Sequence, residues 1–247
     1  MRYFFTCDFD GSGYVGWQRQ LNGLSVQQEI EEKISLIMRT PIGISGCGRT
    51  DAGVHGTDYV FHADVETIED LEPFLFKLNQ ILPEGIWIKS ARKVSPTAHA
   101  RFNARSRQYR YSINLSKSPL SRQYAWTYPL LRTADRELLQ VTAAMLTQIT
   151  HFGSFRKQRS VNKTTICKIS HCRWEFNEDQ YILHISSNRF LRGMVRLIVG
   201  ACINVAMGKI TLDQLKEDIA TEQILPYAWS VPARGLMFTG VEYVDIE

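Results

Sequence analysis

The sequence predicts an α+β fold built from two βαββαβ halves. Three observations carry this expectation. Strand-like and helix-like patterns follow one another in the same order twice, the helical stretches carry one apolar face, and no Pro/Gly/Ser-rich linker separates the halves. The expected division is residues 1–105 and 106–247. Each half would form a split βαβ sheet, and the two would join edge to edge into one mixed, largely antiparallel sheet. The cleft between them would be the default site.

Element by element, Arg2–Phe9 alternates apolar and polar residues as a strand does. Val26–Met38 reads as an amphipathic helix, with Ile30, Ile34 and Ile37 on one face and Ser25 as the N-cap. Short strands follow over 42–47 and 58–65, then a helix over 68–81 and a strand over Ile86–Val94. The second half opens with a strand over 107–115 and a helix over 135–149, in which Leu138, Val141, Met145 and Ile149 align. Strands over 165–176 and 181–187 flank the turn Asn177-Glu178-Asp179. A long helix over 190–207, a short one over 212–219 and a strand over 237–243 complete the order. No sequence repeat links the halves, and residues 116–129, with two prolines and several serines, read as an exposed loop.

With 247 residues, of which 44% are apolar, 22% charged and 11% aromatic, the composition is that of a soluble globular protein. The first ten residues carry Asp8 and Asp10 and lack the apolar core of a signal peptide. The longest apolar stretch, 194–207, is too short to span a bilayer and holds Gly200 and Asn204. A cytoplasmic protein with no membrane contact is expected. Five scattered cysteines (Cys7, Cys47, Cys167, Cys172, Cys202) form no CxxC pair, so reduced structural thiols are expected and no metal site.

Charge is unevenly distributed along the chain. Residues 85–134 contain no acid but ten bases: Lys89, Arg92, Lys93, Arg101, Arg105, Arg107, Arg110, Lys117, Arg122 and Arg132. Residues 138–174 are again acid-free and carry Arg156, Lys157, Arg159, Lys163, Lys168 and Arg173, whereas 51–84 holds eight acids and only Lys77. Clustered bases suit a polyanion. Tyr109, Tyr111, Tyr124, Trp126, Phe152 and Phe155 lie among them, as stacking on unpaired RNA bases would require. Solvated strand faces and core tyrosines would give the same pattern.

The run Gly48-Arg49-Thr50-Asp51-Ala52-Gly53-Val54-His55-Gly56 sets Arg49 two residues from Asp51. In an extended segment such side chains share one side, and a guanidinium keeps a neighbouring carboxylate ionised as a nucleophile needs to be. Asp-Ala-Gly is equally a turn signal, and on these residues alone the turn is the favoured reading. Arg189, Arg192 and Arg196 are spaced three and four apart and would share a helix face, fit for phosphate or for a carboxylate. In 107–111, strand alternation puts Arg107, Tyr109 and Tyr111 on one face and Arg110 on the other. The glycine-rich stretch 11–17 lacks the ending of a phosphate loop and the dinucleotide fingerprint, and the sequence has neither HExxH nor GxSxG.

The chain resembles the TruA-type tRNA pseudouridine synthases. The residues that carry the likeness are Asp8-Phe9-Asp10-Gly11, Gly16-Trp17-Gln18-Arg19-Gln20, Val26-Gln27, the run Gly48 to His55, Leu82-Pro83 and His99-Ala100-Arg101-Phe102. It continues through Arg107-Gln108-Tyr109-Arg110-Tyr111, Phe190-Leu191-Arg192-Gly193-Met194-Val195-Arg196 and Pro232-Ala233-Arg234-Gly235-Leu236. Departures are local: Asp58-Tyr59 stands where the family usually has Gly-Gln, Ala63 where Phe is common, and His151 where Asp is usual.

The resemblance implies the pseudouridine synthase fold with two ferredoxin-like halves, and a tRNA uridine isomerase that flips its target base and uses no cofactor. It implies uridines of the anticodon stem-loop, at positions 38 to 40, as substrate, and a homodimer as the active form. By the same resemblance Asp51 is the nucleophile, Arg49 helps hold the flipped nucleotide, and Arg196 pairs with the aspartate. Tyr109 packs on the target base, while Arg192 and Arg107 are substrate-binding residues. A non-catalytic RNA-binding protein would share the basic face but would not need Asp51.

Overall fold

The computed structural model describes residues 1–156 and 164–244. In chain order its elements are β1 (Arg2–Phe9), α1 (Val26–Met38), β2 (Ile44–Gly46), β3 (His55–Asp64), α2 (Leu71–Ile81), β4 (Ile86–Val94) and β5 (Ala104–Asn114). They continue as β6 (Trp126–Thr127), α3 (Arg136–Leu146), β7 (Ile169–Phe176), β8 (Gln180–Ser187), α4 (Met194–Ala206), α5 (Leu212–Ala220) and β9 (Leu236–Tyr243). The chain forms a mixed α+β fold of two compact units, Met1–Ser106 with Met237–Glu247, and Arg107–Leu236. The final strand groups with the first unit, where the sequence reading put it in the second half. It pairs in parallel with β3 through His55↔Met237 and Gly56↔Phe238. Order of elements alone carries no information about which sheet edge a last strand joins.

In the first unit the strands run β4-β1-β3-β9, with β2 also on β3 and β1 antiparallel to both neighbours. Alternation in β1 sends Tyr3, Phe5, Cys7 and Phe9 to one face, where Phe5 stacks on Phe61 at 5.1 Å. The Ser25 hydroxyl accepts the Gln28 N–H and starts α1, whose Val26, Ile30 and Ile34 are fully buried. Each such burial contributes roughly 2 kcal/mol and the cap about 1 kcal/mol. Helix α2 starts at Leu71, later than expected, because the Asp70 carboxylate accepts the Glu72 N–H there. It stops at Ile81 because Leu82, preceding Pro83, is extended.

The other face of β1 carries Phe4, enclosed by His62, Tyr243 and the Arg92 guanidinium. The Tyr243 hydroxyl donates to the Ala100 carbonyl, and the Ala100 N–H donates to His62 Nδ1. Burial, together with the His99 and Arg2 charges, pushes the His62 imidazole down from 6.5 to about 4. Between these values the unfolded chain binds a proton that the folded chain rejects, so His62 contributes stability above pH 6.5 that is lost as pH falls toward 4. Calorimetric melting temperatures are expected to fall across this window. His62→Asn, which keeps an acceptor but does not titrate, should flatten that limb of the profile.

In the second unit β5, β8 and β7 form an antiparallel sheet, with β6 parallel to β5. The turn at 177–179 closes with the Asn177 N–H donating to the Gln180 carbonyl, as the sequence indicated. Helix α3 begins one residue after its Asp135 cap and ends at Leu146, short of 149. It buries Leu139, Thr142, Ala143 and Leu146 rather than the expected stripe, and Val141 is exposed. The Leu138-Leu139 doublet made both stripes readable, and the small Thr142 and Ala143 side chains permit the closer approach of the observed face. In α4, Gly200 has no room for a side chain, since a Cβ would stand 2.0 Å from the Trp229 carbonyl oxygen. Among the described residues no helix is long and apolar enough to cross a membrane.

Candidate active site

The Gly48–Gly56 run links β2 to β3 in the first unit. Its centre is a tight turn: the Val54 N–H donates to the Asp51 carbonyl, and Gly53 takes φ +75° at the third turn position. A type II turn requires glycine there. Asp51 is thereby fixed as the first turn residue and is half-buried, while Arg49 is exposed. Among the described residues Arg49 enters no ion pair, so the Arg49–Asp51 pairing expected from their spacing is not formed. The turn reading holds, and the turn sets where the Asp51 side chain sits.

The loop is fastened at several places. The Cys47 N–H donates to the Val60 carbonyl, the Trp17 N–H to Thr50 Oγ1 at 3.0 Å, and the Gly53 N–H to the Tyr14 carbonyl. The Tyr59 hydroxyl accepts the Gly48 N–H and donates to the Gly48 carbonyl. Behind it, His55 Nδ1 lies 3.0 Å from Asp10 Oδ1 and 3.2 Å from the Gly11 nitrogen. Partial burial works against charge on Asp10, but hydrogen bonds from Ser12 and the adjacent His55 hold its carboxyl below the usual range.

The glycine-rich stretch 11–17 therefore supports the motif loop. A Cβ on Gly11 would meet the Val54 carbonyl oxygen at 2.0 Å, and one on Gly16 the Thr50 carbonyl oxygen at 2.3 Å. Gly11, Gly16, Trp17 and Tyr59 are the supporting residues that sequence reasoning missed. Beyond their place in the family-like motifs, the signal for Gly11 and Gly16 was the density of glycines following a strand, which fits a close backbone approach as well as a phosphate.

In the second unit Tyr109 lies on β5 opposite Ile185, its ring edge-on to Phe190 at 5.2 Å. Arg107, two residues earlier on the same strand, donates from Nη1 to the Asn188 carbonyl at 2.8 Å. Helix α4 begins only at Met194, after Gly193 at φ +73°, so Arg189 and Arg192 precede it and the expected three-arginine helix face does not form. Arg192 is exposed; Arg196, in the first turn, donates from Nε to the Val231 carbonyl at 2.6 Å. The Tyr111 hydroxyl donates to the next carbonyl, that of Pro232. Burial pushes the Tyr111 phenol up, against the opposing charges of Arg196 and Arg234, so it stays protonated as a clamp on this segment.

Bases in and beside the acid-free stretches have structural tasks. Arg132 donates to the Leu115 carbonyl, and Arg136 lies over the Phe176 and Tyr181 rings. Tyr111, Trp126, Phe152 and Phe155 are core residues, not stacking platforms. Arg101 instead lies over Phe102, whose ring is 76% exposed. Lys157, Arg159 and Lys163 lie outside the described residues.

A family model described as tRNA pseudouridine synthase matches residues 150–244. The tRNA pseudouridine synthase A of Bacteroides thetaiotaomicron is 38% identical over 247 residues, covering 99% of this chain and 91% of that protein. The protein of the same name from Parabacteroides distasonis is 38% identical over 245 residues, covering 99% of this chain and 96% of that one. The chain belongs to the tRNA pseudouridine synthase family.

Within the tRNA pseudouridine synthase family, the local departures of this chain have physical accounts. Asp58 has φ +52°, a conformation that suits the glycine usual at its place. Here its N–H donates to Asp8 Oδ1 and its carboxylate accepts the Lys89 ammonium at 2.6 Å, which offsets the strain. Ala63 is fully buried opposite Tyr3 and Ile44, where a small side chain fits. His151 lies 3.1 Å from Glu222, which also accepts the Thr165 hydroxyl, so the carboxylate at this spot comes from residue 222.

Proposed function

We propose that this member of the tRNA pseudouridine synthase family isomerises uridines at positions 38 to 40 of the anticodon stem-loop, acting as a cytoplasmic homodimer with Asp51 as nucleophile. The observation that carries the reading is the braced turn that holds a half-buried Asp51 in place. The reaction breaks the bond from ribose C1′ to uracil N1, turns the base and joins C1′ to C5. A proton leaves C5 and N1 takes one up, so the conversion is redox-neutral. A carboxylate nucleophile splits the exchange into two easier steps.

The remaining roles follow the family resemblance. Arg49, exposed beside the turn, holds the flipped nucleotide, at a flipping cost of a few kcal/mol. By the same resemblance Arg196 is a further catalytic residue. Tyr109 packs on the target base and assists removal of the C5 proton. Arg192 and Arg107 contact the RNA backbone, where each basic contact steepens the salt dependence of binding.

Pseudouridine mapping in cells with and without the gene tests the substrate. Signals at positions 38 to 40 are expected to vanish without the gene and return with it. Loss at other positions, with 38 to 40 intact, overturns the site assignment. Sedimentation of the purified protein at twice the chain mass is the expected result for the dimer.

A further inference from the structure

We infer that Tyr59 is a positioning residue for the isomerisation, its hydroxyl fixing the Gly48 backbone and through it the loop that presents Asp51. The inference rests on the reading of Asp51 as nucleophile. One oxygen serves both polar groups of Gly48, accepting from its N–H at 3.2 Å and donating to its carbonyl. A hydroxyl can do both at once, since it carries a donor and two acceptor lone pairs. Gly48 immediately precedes Arg49 and stands three residues before Asp51.

The hydroxyl has almost no freedom. Its ring is fully buried, with Trp17 at 4.0 Å, Phe238 at 5.0 Å and Phe9 at 5.5 Å between centroids. A Cβ on Gly46 would stand 2.2 Å from the Tyr59 oxygen and 2.5 Å from Trp17 Nε1, so this side is closed as well. Trp17, packed on the Tyr59 ring, holds Thr50 through its own N–H. The loop is thus held on both sides of Arg49, at Gly48 by the Tyr59 hydroxyl and at Thr50 by the Trp17 backbone N–H, while the two side-chain rings pack on each other.

These contacts separate positioning from packing. The cage around residue 59 is aromatic, and two residues along the same strand Phe61 fills a comparable position without a hydroxyl. A phenylalanine at 59 would therefore preserve the ring packing and remove the two bonds to Gly48. Glutamine also carries a donor and an acceptor, on one carboxamide, the functions that the Gly48 backbone pair requires.

The test measures tritium release from tRNA labelled at uracil C5 under single-turnover conditions, with tRNA Kd and melting temperature measured alongside. Tyr59→Phe is expected to lower the rate constant about tenfold while Kd stays within about twofold. Amide exchange at Gly48 should rise. Tyr59→Gln, despite losing ring contacts, is expected to be less stable yet faster than Tyr59→Phe. A Tyr59→Phe rate within twofold of wild type, a Kd that weakens as much as the rate falls, or a Gln variant slower than Phe overturns the inference. Asp51→Asn run in parallel separates the two readings. If it retains the wild-type rate, the nucleophile assignment falls; if it is inactive while Tyr59→Phe is normal, only the role of Tyr59 falls.

Discussion

Replacing Asp51 by asparagine is expected to abolish pseudouridine formation while leaving the protein folded and bound to tRNA. The turn that holds Asp51 uses its backbone carbonyl, which accepts the Val54 N–H, and the substitution leaves that bond intact. Asparagine is as well suited as aspartate to the first position of such a turn. What disappears is the negative charge and nucleophilicity of one oxygen. Removal of a nucleophile typically costs at least about a thousandfold in rate, so tritium release should drop by that factor or more. Melting temperature should stay within about 2 °C and tRNA Kd within about threefold. Asp51→Glu should also be inactive, because an extra methylene shifts the carboxylate by more than about 1 Å from a loop fixed at Gly48, Thr50 and Gly53. A rate for Asp51→Asn above a tenth of wild type would leave the nucleophile to be sought elsewhere.

The parts of this fold that were legible in the sequence are those written in local periodicity and caps. The alternation of β1, the Ser25-capped face of α1 and the turn at 177–179 were all readable, because each depends on neighbours within a few residues. The misreadings have a common origin. The stripe of α3 was ambiguous at the Leu138-Leu139 doublet, and only the packing partner chooses between the two faces. The start of α4 was placed too early because apolar residues continue upstream of Gly193, whose positive φ ends the approach segment and unties Arg189 and Arg192 from Arg196. The last strand was assigned to the wrong unit because pairing with β3 is a contact between residues some 180 positions apart in the chain.

At the candidate site, the turn that begins at Asp51 was legible, since the glycines and the turn residues sit in one continuous run. The brace was not legible. Tyr59, Trp17 and Gly16 reach the loop from other strands and loops, and an aromatic residue in a strand reads from sequence simply as core.

Gly16→Ala carries the second large effect, and it is felt at the same loop from the opposite side. Gly16 has φ +112°, a region that side chains other than glycine's rarely enter. That conformation alone costs about 1–3 kcal/mol for alanine. The added methyl would also stand 2.3 Å from the Thr50 carbonyl oxygen and 3.1 Å from the Asp51 carbonyl carbon, both rigid backbone atoms. Strain and overlap together should destabilise the first unit by roughly 3 kcal/mol or more, unless the motif loop moves away. Movement is the less costly route, but it breaks the bond from the Trp17 N–H to Thr50 Oγ1 and displaces Asp51. Movement depresses the single-turnover rate by about a hundredfold or more, since a displacement of about 1 Å is worth that much. The measurement that distinguishes them pairs the rate with the melting temperature: a folded but inactive variant indicates loop displacement, and a variant melting many degrees lower indicates retained contact under strain. Gly13→Ala is the control, because a Cβ there meets nothing within 4 Å, and both quantities should remain near wild type. Equal loss of activity in the two variants would show that the glycine-rich stretch acts through general flexibility, not through the close approach at Thr50.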